Sequence, residues 1–200
     1  MKGSLIIVGF FVLGTICGVC HLLPFDIAET NISYYALCAL MLSVGLSVGN
    51  DPQTLKNFRS LNPRLVFLPI MTILGTLAGS AAVSLILTHR SITDCLAVGS
   101  GFGYYSLSSI FITEYKGAEL GTIALLANIS REILTLLAAP LLVRWFGNLA
   151  PISAGGATTM DTTLPIITRT AGQQFVVVSI FHGFVVDFSV PFLVTLFCSI

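Results

Sequence analysis

Polar side chains recur along one face of a long apolar stretch, residues 120–143. They are Asn128, Arg131, Glu132 and Thr135, and their spacing places all of them on one side of a helix. A charge at the centre of a bilayer costs about 2.5–3.5 kcal/mol on insertion scales, so such residues usually serve a function. The stripe therefore predicts a site for an ion or a charged substrate. Alternatively, Arg131 forms a structural ion pair with an acid on a neighbouring helix, such as Asp161.

A second polar stretch, S-A-G-G-A-T-T-M-D-T-T-L-P at residues 153–165, carries Asp161 among glycines and threonines. Backbone that leaves a continuous helix is tolerated at membrane depth only where protein or a water-filled cavity satisfies its polar groups. We therefore expect Asp161 to face a cavity. The alternative is a polar surface loop between two helices. The candidate site residues of this stretch are Gly155, Gly156, Thr158, Thr159, Asp161 and Thr162.

A third unusual stretch, G-S-G-F-G-Y-Y-S-L-S-S at residues 99–109, interrupts the apolar segment 94–113. Each glycine costs a helix about 1 kcal/mol relative to alanine, so the alternating glycines predict a break. The G-x-G pattern is not a nucleotide loop, because no strand precedes it and no P-loop lysine follows. The candidate residues here are Gly101, Gly103, Tyr104, Tyr105 and Ser106.

One intact charged stretch separates the two glycine-rich segments. Paired interrupted hydrophobic segments of this kind point to the binding site of a secondary transporter. If both segments are re-entrant, the chain has five full spans, and if both cross the membrane, it has seven. The re-entrant arrangement is favoured, because it keeps Arg144 and Arg169 on the cytoplasmic side.

Composition identifies the class of protein that holds these stretches. Of 200 residues, 55% are hydrophobic and 9% are charged, with a mean hydropathy of +0.95, whereas about 25% of residues are charged in soluble domains. We predict an all-α polytopic membrane protein with a single transmembrane transporter domain over residues 1–200. The net charge of zero argues against a nucleic-acid partner.

About five full spans are predicted besides the two broken segments: residues 5–23, 32–48, 65–87, 120–143 and 175–200. The first lacks a small-residue cleavage site and is read as a retained span. The loop at residues 50–64 has an excess of Lys and Arg, so it is cytoplasmic by the positive-inside rule. The N-terminus is then cytoplasmic and the C-terminus outside.

Cysteine and histidine give no sign of a metal or other cofactor. The five cysteines lie mostly in apolar runs, where a thiol packs as a small hydrophobe. His182 is interpreted as a core histidine with at most a secondary role in the site. Asp187, five residues later, is turned away from His182 on a helix.

The stretches at residues 99–109, I-S-R-E at 129–132, G-A-T-T-M-D-T-T-L-P-I-I-T-R at 156–169 and I-F-H-G at 180–183 carry a resemblance. Through them the chain resembles the LysO-type lysine exporter family. The resemblance covers essentially the whole chain but only the C-terminal two-thirds of the longer members, which carry additional N-terminal spans. It implies export of L-lysine and its toxic analogues across the bacterial inner membrane. Glu132 and Asp161 match the family's intramembrane acids, and Asp187 has no counterpart.

The resemblance also raises the question of a partner. Since the longer members have extra spans, we expect either a small membrane protein that supplies them or a homodimer. Gly9, Gly14 and Gly18 form a small face on the first predicted span, which suits close helix contact.

The mechanism predicted from these residues is cation export coupled to protons. Desolvation favours a protonated carboxyl group, whereas a nearby cation favours the carboxylate. Glu132 and Asp161 would hold either a proton or an ammonium group of lysine. The N-termini of half-helices would face the substrate carboxylate, helped by the hydroxyls of Ser106, Thr158, Thr159 and Thr162.

Two rival functions remain, and a third is excluded. Arg131 would bind a carboxylate bidentately if the substrate were an organic acid. Alternatively, the chain is a non-transporting subunit of a split transporter, whose activity requires a separate small membrane protein. An intramembrane aspartyl protease would need G-x-G-D, but Tyr104 follows Gly101 and Gly103, so no enzyme is predicted.

Overall fold

In a computed structural model, the structure describes residues 13–14, 16–20, 35, 63–87 and 89–200. Residues 13–14 and 16–19 are helical and belong to a compact unit spanning residues 1–46. The predicted spans 5–23 and 32–48 and the loop 50–64 therefore lie largely outside the described residues. The described residues from 63 onward lie in a second unit and contain helices but no strand.

Three helices of this unit are long and apolar enough to cross a membrane, counting only the described residues. Helix α1 spans Leu68–Ser84 and follows a 3₁₀ helix, Pro63–Phe67. Helix α4 spans Ala118–Phe146, and helix α7 spans Val176–Cys198 after a 3₁₀ helix at Gln173–Phe175. The predicted spans 65–87, 120–143 and 175–200 are confirmed, with ends that differ by a few residues. The all-α membrane fold follows from these helices.

The first glycine-rich segment is broken, as predicted. Helix α2, Ile92–Gly99, begins at Ser91, whose side chain accepts a 3.0 Å hydrogen bond from the Asp94 amide. Helix α3, Tyr105–Lys116, follows after a non-helical turn. In that turn Phe102 has φ 47° and Gly103 has φ 94°. We call α2, the turn and α3 hairpin 1.

Both ends of hairpin 1 lie at the N-terminal end of α4. Arg90, just before α2, forms an ion pair with Glu119 in the first turn of α4. Asp94 in α2 lies 3.8 Å from Lys116, the last residue of α3. Hairpin 1 therefore enters and leaves at the same end of the helical bundle.

The second glycine-rich segment forms hairpin 2, and it is built differently. It contains helix α5, Ala150–Gly155, a 3₁₀ helix at Gly156–Met160, and helix α6, Leu164–Ala171. Buried Ile152, Ile167, Ala171 and Val178 form an apolar cluster, which Val143 near the end of α4 also contacts. Both ends of hairpin 2 thus lie at the C-terminal end of α4, opposite hairpin 1.

A long helix followed by a hairpin occurs twice, in opposite orientations. Leu65 and Leu68, at the start of α1, pack on the apolar cluster at the C-terminal end of α4. Helix α1 therefore runs antiparallel to α4, and each is followed by a hairpin that starts where the helix ends. This arrangement is an inverted repeat, a plan typical of secondary transporters, whose sites lie at the repeat interface.

Helix α7 packs against both hairpins. Gly183 lies so close to hairpin 2 that an added Cβ atom would stand 2.7 Å from the Met160 amide nitrogen. The buried Val186, Val190 and Val194 continue the packed face toward the C-terminus. The glycine thus lets α7 approach the second break directly.

Candidate functional site

The tips of the two hairpins meet inside the bundle. The amide of Ala157 donates a 2.9 Å hydrogen bond to the carbonyl of Phe102. Gly156 has φ 64°, and an added Cβ atom would collide with the same carbonyl. A Cβ atom on Gly103 would lie 3.1 Å from the Gly155 carbonyl. Only glycine allows this backbone approach, which explains why both tips are glycine-rich.

Asn128, in the middle of α4, holds the tip of hairpin 1. Its Oδ1 accepts a 2.7 Å hydrogen bond from the Gly103 amide. Its Nδ2 donates to the carbonyls of Ala124 at 2.9 Å and Val98 at 3.3 Å. Gly101 leaves the room that this amide occupies, since a Cβ atom there would collide with Asn128. Asn128 is therefore committed to positioning the backbone.

Arg131 holds the tip of hairpin 2. Its Nε donates to the Ala154 carbonyl at 2.8 Å, and Nη2 donates to the Ser153 carbonyl at 3.0 Å. Its Nη1 lies 3.4 Å from Thr76 Oγ1, and its guanidinium lies over the ring of Phe102. The carbonyls near the end of α5 have no intrahelical partner, so a cation is suited to them.

The interpretation of Arg131 as the ion-pair partner of Asp161 is wrong. Among the described residues, the guanidinium bonds to two carbonyls and one hydroxyl, and the ion pairs are those of Arg90 with Glu119 and of Lys116 with Asp94. Sequence spacing showed that Arg131 faces the interior. It did not show that main-chain carbonyls, created by the break in the next segment, would be the nearest acceptors.

The hydroxyls of two predicted threonines bond within the bundle. Thr158 Oγ1 donates to the Gly155 carbonyl at 2.9 Å. Thr159 Oγ1 lies 2.8 Å from the Gly156 carbonyl and 2.9 Å from the Ser179 carbonyl. They stabilise the 3₁₀ turn and its contact with α7. Thr162 is exposed in the described part of the chain, and its amide donates to Asp161 Oδ1.

His182 is fully buried and links three elements. Its Nδ1 lies 3.2 Å from Thr159 Oγ1, and its Nε2 lies 2.9 Å from Thr72 Oγ1. Thr72 belongs to α1, Thr159 to hairpin 2 and His182 to α7. Both ring nitrogens thus have hydroxyl neighbours, which fits the interpretation of His182 as a core histidine. Thr72 was not singled out in the sequence, since a lone threonine in an apolar helix carries no signal.

Three acids gather around the start of α3. Glu132 is buried in the middle of α4, and Asp161 lies in the bend after the 3₁₀ helix of hairpin 2. Both lie within electrostatic range of Tyr105, and Asp161 and Asp187 lie within range of Tyr104. We call Glu132, Asp161 and Asp187 the acidic cluster. Ser106 is half-buried in the adjacent first turn of α3.

Asp187 also belongs to this cluster, although it was not among the predicted site residues. It lies in the middle of α7 with 6% of its surface exposed, within electrostatic range of Asp161. His182 and Asp187 are both buried because hairpins and α1 cover more than one face of α7. An acid in the centre of a 23-residue apolar helix was the available signal.

A cavity of about 790 Å³ lies elsewhere, between α1, α2 and α4. Its wall is mostly apolar, and Thr76, Asn128 and Arg131 stand at its inner side. The members of the acidic cluster do not line it. Within the part of the chain that the structure describes, no group of His, Cys, Asp or Glu is arranged to hold a metal ion.

Comparison of the sequence with known proteins identifies the family of this chain. A family profile described as "Lysine exporter LysO" matches residues 8–198. The chain is 36% identical over 196 residues to "Lysine exporter LysO" of Escherichia coli (strain K12), covering 98% of this chain and 64% of that protein. It therefore spans just under two thirds of that relative's length.

A second relative has nearly the same length as this chain. The "Putative lysine exporter" of Haemophilus influenzae (strain ATCC 51907 / DSM 11121 / KW20 / Rd) is 34% identical over 196 residues, covering 98% of this chain and 96% of that protein. No solved structure matches the chain. With a profile match over nearly its whole length, the chain belongs to the lysine exporter LysO family of membrane transporters.

Proposed function

We propose that this chain exports L-lysine and lysine analogues across the bacterial inner membrane. The names of the two relatives support this substrate. The structural observation that carries the proposal is the acidic cluster beside the meeting point of the two hairpin tips. Arg131 is occupied by carbonyls, so it is not the cation that Asp161 attracts. The ammonium groups of lysine fill that role.

In the proposed complex, Glu132 and Asp161 receive ammonium groups, and the substrate carboxylate lies at the N-terminus of α3. This helix is 12 residues long and begins at Tyr105, which lies within electrostatic range of both acids. Its first amides have no intrahelical acceptor, and the helix dipole favours an anion there. The half-buried Ser106 hydroxyl is available beside them, because no described residue forms a hydrogen bond with it.

The threonines divide into two groups under this proposal. Thr158 and Thr159 hold hairpin 2 in shape through their carbonyl contacts. Thr162 is exposed and next to Asp161, so it is the threonine suited to touch the substrate. We therefore assign Thr158 and Thr159 to positioning and Thr162 to binding.

Proton coupling would use the acidic cluster, of which Glu132 and Asp187 are buried. An uncompensated carboxylate in the membrane interior is costly, so an acid that loses its ammonium partner takes up a proton. Exchange of an ammonium group for a proton within this cluster makes the chain an antiporter. The two hairpins enter from opposite ends, so displacement of one tip opens the site to one side of the membrane.

The rival substrate, an organic acid held by Arg131, fits the geometry less well. A bidentate carboxylate needs two donors of the guanidinium fork. Nε and Nη2 already bond to Ala154 and Ser153. Binding a substrate there would leave these carbonyls without their donors.

We also propose that this chain works in a complex. Irregular backbone at membrane depth, as at the two hairpin tips, must be covered by protein or water. A small membrane protein or a second copy of the chain would supply additional helices. The alternative that this chain is a non-transporting subunit predicts no lysine flux without such a partner.

The decisive experiment measures flux from the purified chain. Proteoliposomes containing the chain are loaded with labelled L-lysine or labelled succinate, and efflux is followed with and without a pH gradient. Lysine efflux that the gradient accelerates supports the proposal. Efflux of succinate alone would support the hypothesis that the substrate is an organic acid. If both fluxes are absent from the chain alone and appear only when it is purified together with a co-expressed small membrane protein, the chain is a subunit that does not transport by itself.

A further inference from the structure

Asp187 lies on the face of α7 that meets hairpin 2. Gly183, one helical turn earlier, is in direct contact with Met160 at the end of the 3₁₀ helix. Residues four positions apart share a helical face and are separated by about 6 Å along the axis. Asp187 therefore faces the bend at Asp161, which agrees with the electrostatic contact between the two acids. Only 6% of the surface of Asp187 is exposed.

Within the described residues, the Asp187 carboxyl has no hydrogen-bond donor and no ion-pair partner. The groups that face it are Asp161 from hairpin 2 and Tyr104 from the start of α3. Helices α1 and α5 carry no charged side chain. Of the other charged side chains on the hairpin helices, Arg169 of α6 and Glu114 of α3 are exposed, and Asp94 of α2 pairs with Lys116 of α3. Arg131 and Glu132 of α4 lie near His182 and Tyr105, respectively.

A buried carboxylate without a partner is too costly to remain charged beside a second acid. Asp187 is therefore neutral unless a cation enters the acidic cluster. Asp161 differs, because it is exposed and its side chain accepts a hydrogen bond from the Thr162 amide. The two neighbouring acids thus differ in exposure and in hydrogen bonding.

We infer that Asp187 is the proton-carrying acid of the exchange, while Asp161 receives the incoming ammonium group. The inference rests on the proposed lysine export. When an ammonium group reaches Asp161, its charge also stabilises the Asp187 carboxylate, and the O–H bond of Asp187 breaks. The proton leaves to water on the side open at that moment. When the ammonium group departs on the opposite side, Asp187 takes up a proton from that opposite side, so one proton moves inward as one lysine moves outward.

Infrared difference spectroscopy of the purified full chain tests this assignment directly. A protonated carboxyl has a C=O stretching band that a carboxylate lacks. We expect the wild-type band to disappear when L-lysine is added, and Asp187→Asn to lack the band even without lysine. Ser189→Ala is the matched control on the same helix, because its hydroxyl bonds to the Val186 carbonyl outside the cluster. This control variant should show the same band as the wild type, and the band should disappear when L-lysine is added.

Other outcomes would overturn the inference. An unchanged band in Asp187→Asn assigns the proton to another acid, and a wild-type band that persists while lysine binds removes the coupling. If Asp187→Asn fails to fold, Asp187→Glu must shift the band, and an unshifted band contradicts the assignment. Failure of the proposed function looks different: lysine then neither binds nor stabilises the wild type, whereas the band assignment from the variants can still be read.

Discussion

The amide of Ala157 and the carbonyl of Phe102 are joined by a hydrogen bond of 2.9 Å that connects the two hairpin tips. Phe102 comes from the hairpin that precedes α4 in the chain, and Ala157 comes from the hairpin that follows it. They meet next to Asn128 and Arg131, each of which holds one tip. The contact needs no side chain at Gly156, which has φ 64°. The site is therefore built on main-chain contacts between two breaks.

The first prediction concerns this contact. Gly156→Ala should lower the thermal stability of the detergent-purified protein and abolish lysine efflux, because the added methyl collides with the Phe102 carbonyl in a strained conformation. Such strain costs on the order of 1–3 kcal/mol. Gly75→Ala is the control, since nothing lies within 4 Å of its added Cβ atom. Equal unfolding temperatures for the two variants would mean that the tips do not meet as described.

The second prediction separates positioning from substrate binding at Arg131. Arg131→Lys should lower stability, by about 1–3 kcal/mol for each carbonyl left unsatisfied, since a lysine cannot reproduce the fork to Ala154 and Ser153. The remaining efflux should stay selective for lysine, with an unchanged apparent affinity. The measurements are thermal unfolding and competition by unlabelled lysine. A selective loss of affinity in a fully stable variant would instead make Arg131 a substrate ligand.

The third prediction concerns the two matched acids. Glu132→Gln and Asp161→Asn should each reduce lysine efflux at least tenfold while the protein still inserts, because an amide keeps the shape but carries no charge to hold an ammonium group. Glu119→Gln is the control: it removes an acid from an exposed ion pair, which is worth about 0–1 kcal/mol. The assay is efflux from proteoliposomes with equal protein content. Wild-type rates in either test variant would rule out the carboxylate mechanism.

The fourth prediction concerns the sides of the membrane. Cysteines placed at Ser91 and Gly117, which flank hairpin 1, should react with an impermeant thiol reagent from outside the cell. Cysteines at Asn148 and Gln174, which flank hairpin 2, should react only in everted vesicles, and a reporter after Ile200 should be active outside. The expectation combines positive-inside counting with the opposite entry of the hairpins. Labelling of Ser91→Cys and Gln174→Cys from one side would contradict it.

Composition and residue pattern were enough to predict the class of the protein and the positions of its two helix breaks. Low charge and long apolar stretches require membrane helices, and α4 was predicted nearly to its ends because its apolar stretch is long enough to cross a bilayer. The glycine pairs predicted both breaks, since glycine is unfavourable in a helix and these segments contain several. Local chain chemistry was sufficient for these features.

The contacts of the polar residues depend on packing between separate segments and could not be predicted from the chain. Arg131 faces two carbonyls rather than Asp161, and Asn128 binds the Gly103 amide, because the breaks expose main-chain groups that a helical pattern does not show. Asp187 joined the acidic cluster because Gly183 lets α7 approach hairpin 2, a contact between residues more than 20 positions apart. Helical spacing gives the direction of a side chain from its own axis. The neighbour in that direction depends on how separate segments pack.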